Sequence, residues 1–131
     1  MSMIERPATA FAEDRPAKQK RPRINDEAHL KLIRQLPCII DGTYPVEAAH
    51  IRSACPRLGK RSTGKAEKPD DKWTLPLSQK RHAEQHQGTE LAFWERYGIE
   101  PFSTALALYA AQGDIEAMEQ IVRNARKDRA S

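Results

Sequence analysis

The stretch KRHAEQH, residues 80–86, sets two of the chain's four histidines four positions apart, just ahead of Gly88. On a helix, residues i and i+4 share a face with Cβ atoms about 6 Å apart, close enough for two imidazoles to hold one ion at metal–nitrogen distances of about 2.1 Å. His82 and His86 meet that spacing. Histidines on a solvated helix face meet it equally well, so spacing alone leaves a metal clamp and a solvated pair both open. A third histidine, His50, closes the apolar segment VEAAHI.

Several elements must position these side chains. A helix is expected from Asn25 or Asp26, either of which can cap it, with Asp26 and Glu27 at the positive end of its dipole and Leu30, Ile33 and Leu36 near one face. Pro37 stops it. CII, then Asp41–Gly42, then TYPVEAAHI reads as two short strands around a turn, with His50 ending the second. WTLPL is a brief extended segment in which Pro76 argues for an edge or a strand end. Ser78 can cap the short helix that carries His82 and His86, and Gly88 ends it. Three further helices follow: TELAFWERY up to Gly98, STALALYAAQ up to Gly113, and DIEAMEQIVRNARK capped by Asp114. Leu91, Phe93, Trp94, Leu106, Leu108 and Tyr109 are read as core and packing residues. Ile115, Met118, Ile121 and Val122 give the last helix one apolar face, for this domain or for another chain.

Two stretches carry positive charge without apolar periodicity. Residues 1–24 repeat proline and include the run KQKRPR, which reads as a disordered basic arm, able to grip phosphates without fixed structure or simply solvated. Residues 52–72 form a long polar connection rich in Arg and Lys, uncommon in a compact domain unless the loop is functional. Arg52, Arg57, Lys60, Arg61, Lys65 and Lys68 read together as a phosphate-facing rim, which Lys80 and Arg81 extend.

The rest of the composition sets limits. With 131 residues, 31% charged and 39% hydrophobic, the chain has room for one modest domain. No apolar run approaches the roughly 20 residues of a membrane span, and the N-terminus has no apolar signal-peptide segment. A soluble, cytoplasmic protein is expected. Cys38 and Cys55, the only cysteines, are too few for a secreted disulfide scaffold and are read as reduced thiols. A net charge of +4 permits a polyanionic partner without requiring one.

Taken in order, HLKLIRQLPCIIDG, VEAAHIR, KPDDKWTLPLSQKRHAEQH and GTELAFWERYGIEP give the chain a resemblance, from about Ala28 to Tyr109, to the HNH or ββα-metal (His-Me finger) endonucleases. It is most similar to the small phage- and prophage-borne members that include the recombination-enhancement nucleases. The resemblance implies an α+β fold: a small ββα-metal core with a β-hairpin, a metal-binding helix and packing helices at both ends. It divides the chain into a basic arm (1–24), an HNH-like nuclease domain (25–112) and a C-terminal helix (113–131). It also implies that His50 is the general base, or alternatively a third metal ligand, and that His82 and His86 hold one divalent ion, Mg²⁺, Mn²⁺ or Zn²⁺. The substrate it implies is DNA, with a recombinase as a further partner.

The chain departs from that pattern at four places. Where many relatives carry two C-x-x-C pairs, it has Cys38 with Asp41 and Ser78 with Arg81, which excludes a four-cysteine zinc knuckle. Ala49 stands where many relatives place a ligand before the base, and the position of the family's central Asn falls on Trp73. Two histidines leave an ion under-coordinated, so water, phosphate or a carboxylate must complete it; Asp70 and Asp71 are the nearest candidates in the chain, with a solvated turn before Trp73 the alternative for both. His29 lies outside the pattern and is read as a surface or structural residue. The competing reading is a catalytically weak HNH-like DNA-binding accessory protein; a small structural zinc protein is a third, which the lost cysteine positions oppose.

Overall fold

The computed structural model describes residues 24–61 and 69–130, the last four of them by backbone alone. Residues 1–23 of the basic arm and the rim residues Lys65 and Lys68 lie outside the described residues.

The chain begins with α1 (Glu27–Ile33). Asp26 caps it by accepting from the His29 amide at 3.1 Å, and Glu27 sits in the first turn, where a carboxylate meets the positive end of the helix dipole. His29, Leu30 and Ile33 are its buried positions. The expected hairpin partner CII is not a strand. Cys38, Ile39 and Ile40 are buried, but the chain closes on itself there: Gly42 N–H donates to the Cys38 carbonyl at 2.8 Å and Cys38 N–H to the Thr43 carbonyl at 2.9 Å. Gly42 makes this loop possible with φ +74°, a left-handed conformation that costs glycine little.

The sheet is formed instead by β1 (Glu47–His50) and β2 (Thr74–Leu77), antiparallel with Ala49 opposite Leu75 and His50 opposite Thr74. The Ile51 amide bonds the Trp73 carbonyl at 2.8 Å. Alternation along an antiparallel pair then puts Pro76, opposite Ala48, at a position whose backbone faces away from β1. Its missing N–H costs the ladder nothing, and its carbonyl accepts from the Ile39 amide at 2.9 Å. The edge character expected of Pro76 is therefore present, with the 38–40 segment lying against that edge.

Four helices follow β2: α2 (Gln79–Gln85), α3 (Glu90–Arg96), α4 (Pro101–Ala110) and α5 (Ile115–Ala130). The fold is α+β, with five α-helices and one two-stranded antiparallel sheet among the described residues. One apolar core joins them, drawing Ile33 and Leu36 from α1 and the turn after it, Leu75 and Leu77 from β2, Phe93 and Trp94 from α3, Leu108 from α4, and Met118 and Val122 from α5. The last helix thus packs on this domain. Its Arg126 guanidinium lies on Gly42, where a Cβ would come within 2.2 Å of Nη1. Of the expected core residues, Leu91 departs, being 49% exposed. Cys38 and Cys55 are buried and form no disulfide, and among the described residues no helix is long and apolar enough to cross a membrane.

His29 is structural and not on the surface. It is 0% exposed, packs edge-on against Tyr109 with ring centroids 4.9 Å apart, and neither ring nitrogen has a hydrogen-bond partner. Burial lowers its pKa from the ordinary 6.5, against the pull of the Asp26 and Asp71 carboxylates. A histidine depressed in the fold favours the neutral form there, so its contribution is intact above 6.5 and is lost as pH falls below that value. We expect the thermal midpoint to drop between about pH 7 and about pH 5, and to drop less in His29→Leu. Parallel pH profiles for the two proteins would show that His29 does not govern this limb.

Candidate functional site

The site forms where α1, the end of β1, the turn before β2 and α2 converge. A cavity of about 550 Å³ is lined by Asn25, Glu27, Leu30 and Arg34 from the α1 side, Ala48, His50 and Arg52 from β1 and its exit, Asp71, and His82 and His86. The two histidines expected on a helix and the one expected at a strand end therefore share one cleft. Asp71 and Arg52 line it too.

His50 is fixed through Asp71. Its Nε2 lies 2.9 Å from Asp71 Oδ1, and Asp71 is itself buried. The second oxygen, Oδ2, accepts the Asp26 amide at 2.6 Å, while Thr74 Oγ1 donates to the Asp71 carbonyl at 2.9 Å. A carboxylate can only accept, so the proton between the two side chains resides on Nε2 and the imidazole lone pair on Nδ1. This geometry gives Asp71 to the histidine. Asp71 is buried against His50 and is no solvated turn residue.

His82 and His86 stand with ring centroids 5.0 Å apart, one within α2 and the other as its C-cap. Ser78 starts the helix, its hydroxyl accepting the Arg81 amide at 3.3 Å. Gln85, buried on the same helix, donates to the His50 carbonyl at 3.1 Å, which sets the helix against the strand that carries His50. His82 Nδ1 lies 2.7 Å from Glu47 Oε1, so Nδ1 carries the proton and Nε2 presents its lone pair, the pattern by which carboxylates orient metal-binding imidazoles. Burial pulls the His86 imidazole below its ordinary value, with the charges of His82 and Arg52 acting in the same direction, which keeps a lone pair available near neutral pH. The pair suits a borderline metal bound through nitrogen. Among the described residues no group of three His, Cys, Asp or Glu side chains gathers at metal-binding spacing, so the protein donors present amount to two imidazoles. We expect His82→Ala and His86→Ala each to weaken Zn²⁺ or Mn²⁺ uptake in calorimetric titration, and Glu47→Gln to weaken it about 10-fold. Uptake unchanged in both histidine variants would remove the clamp.

Sequence reasoning missed Glu90, the residue that holds the cleft's outer loop. Its carboxylate accepts the Arg52 amide at 3.1 Å, the Ser53 amide at 2.9 Å, the Ser53 hydroxyl at 2.8 Å, Gln85 Nε2 at 2.7 Å and Trp94 Nε1 at 3.2 Å. The exit from β1, α2 and α3 are tied at this one group. Nothing in the local pattern of TELAFWERY sets Glu90 apart from any acid in a first helical turn.

The basic rim is rearranged. Lys60 is 4% exposed, donates to the Ser53 carbonyl at 2.7 Å and lies over the Trp73 ring; burial lowers its pKa, and its ammonium stabilises the loop from inside. Arg81 is spent on Asp41 and Glu84 and on the Tyr97 hydroxyl. Burial would raise the Asp41 carboxyl, but hydrogen bonds from Thr43, Cys38 and Arg81 outweigh it and hold the group at about 2, which keeps that pair ionised. Lys60 thus faces inward, and Arg81 is held among Asp41, Glu84 and Tyr97. Arg57 is exposed, 4.0 Å from Glu100, and Arg61 is exposed; neither lines the cleft, whereas Arg52 does.

Residues 5–112 match the model of a family described as proteins of unknown function, DUF968. The chain belongs to that family. No curated protein and no solved structure matches it.

Proposed function

We propose that this protein is a metal-dependent endonuclease of the HNH or ββα-metal type, hydrolysing DNA phosphodiester bonds in the cleft between α1 and α2. One observation carries the reading: His50, oriented by a buried carboxylate, lines the same cleft as the His82 and His86 pair. The succession β1, β2, α2 is the order of parts that such a core requires.

In this reading His50 takes a proton from a water molecule through Nδ1, and Asp71 stabilises the imidazolium that forms. The water oxygen bonds to phosphorus as the bond from phosphorus to the 3′ oxygen breaks, and solvent protonates the departing oxygen. The products are 5′-phosphate and 3′-hydroxyl ends. His82 and His86 would hold a divalent ion, whose chemistry when bound is Lewis-acid stabilisation of charge on the phosphate and the leaving oxygen. Arg52, on a loop fixed by Glu90, adds a positive charge facing the phosphate.

The lack of a third protein donor among the described residues favours a second reading, a DNA-binding accessory protein of the same fold with weak or no catalysis. Incubation with supercoiled and single-stranded DNA in Mg²⁺, Mn²⁺ or Zn²⁺ separates the two. Nicking that EDTA abolishes is expected; binding without nicking in every metal would leave the accessory reading.

A further inference from the structure

We infer that α1 forms the second wall of the nucleic-acid groove, with Arg34 as a phosphate seat opposite Arg52. This rests on the nuclease reading and adds to it the path of the strand. Arg34 and Arg52 are the two arginines among the cavity's lining residues, and they come from different elements, Arg34 from the C-terminal end of α1 and Arg52 from the exit of β1. His50, with Asp71 behind it, belongs to the same lining. A strand seated on both guanidiniums would run across the cleft past His50.

Arg34 is suited to exchange its partner. It pairs with Glu27 at 3.1 Å, and both side chains are largely in water, 46% and 63% exposed. An exposed pair of this kind stabilises little and is screened by salt. A backbone phosphate carries the same single charge but offers the guanidinium two charge-assisted hydrogen bonds, where Glu27 takes one. Glu27 then serves as a stand-in for phosphate when the groove is empty. One contact of the electrostatic grip thereby falls on a helix with no such expectation in its sequence.

The test is DNA binding by fluorescence anisotropy in EDTA, so that cleavage does not intervene, using a labelled single strand and a duplex of about 20 nucleotides over a salt series. Arg34→Gln should lower the slope of log affinity against log salt by about 0.7 for the single strand and about 0.9 for the duplex, one phosphate contact in each case. Arg34→Lys should restore most of the slope with weaker binding than wild type, since it returns the charge without the planar fork. Arg123→Gln on α5, which removes an exposed arginine paired at 3.9 Å with Glu119, should leave the slope unchanged. Wild-type binding with an unaltered slope in Arg34→Gln, or an equal loss in Arg123→Gln, overturns the Arg34 seat and leaves the nuclease reading standing. Failure of wild type to bind either DNA overturns both.

Discussion

His50→Ala is expected to lower the nicking rate by about 10²–10⁴-fold while leaving DNA affinity in EDTA within about twofold of wild type. The magnitude is that of the positioned general base proposed for His50, and the unchanged affinity follows because that role moves a proton and does not bind phosphate. Asp71→Asn should be nearly as damaging, for a different reason. The Asp71 carboxylate accepts from both the Asp26 amide and His50 Nε2. An asparagine has one acceptor oxygen and one donor nitrogen. With the oxygen on the Asp26 amide, its NH₂ meets His50 and drives the ring proton to Nδ1, the nitrogen that must be bare to take a proton from water. The expected signature is a loss in the catalytic rate with little change in substrate affinity. Nicking by His50→Ala at the wild-type rate would remove the base assignment, and full activity in Asp71→Asn would break its link to Asp71.

The second large effect is on stability. Glu90→Ala should destabilise the fold by about 3 kcal/mol, because it strands donors on the loop after β1, on α2 and on α3 at once, and a buried donor left without a partner costs about 1–3 kcal/mol. Some of these groups will rehydrate, which is why the figure stays well below the sum. For a chain of this size the thermal midpoint should fall by about 12 °C. Glu90→Gln keeps one acceptor oxygen and should fall about half as far. A midpoint within about 3 °C of wild type for Glu90→Ala would mean that water replaces the carboxylate without loss.

The helices were legible because their signals are local. Asp26, Ser78 and Asp114 each cap the helix that follows, and the apolar spacing of Phe93, Trp94, Leu108, Met118 and Val122 is the spacing of a buried face. His50, His82 and His86 were legible as types at positions, and the cleft they line required only that a strand end and a helix start lie together. The hairpin was misread because three buried apolar residues, Cys38, Ile39 and Ile40, look alike whether they pair as a strand or fill a turn. Sequence offered no rule by which β1 would choose a partner beyond the polar connection. The carboxylates were hardest to read. Asp71 reaches His50 across 21 residues and Glu90 reaches Ser53 across 37, and such pairings follow from tertiary placement alone. The inward turn of Lys60 was equally hidden, since a lysine in a polar loop gives no sign that its ammonium will point to a carbonyl.

The seating of α5 bears on where the folding unit ends. The segment that defines the family runs from residue 5 to residue 112, yet Met118 and Val122 are completely buried in the shared core, and Arg126 covers Gly42 in the loop that borders β2. The boundary of recognisable descent and the boundary of physical autonomy therefore fall at different places in this chain. A domain cut at the former would carry every residue of the cleft and lack part of the mould that shapes it.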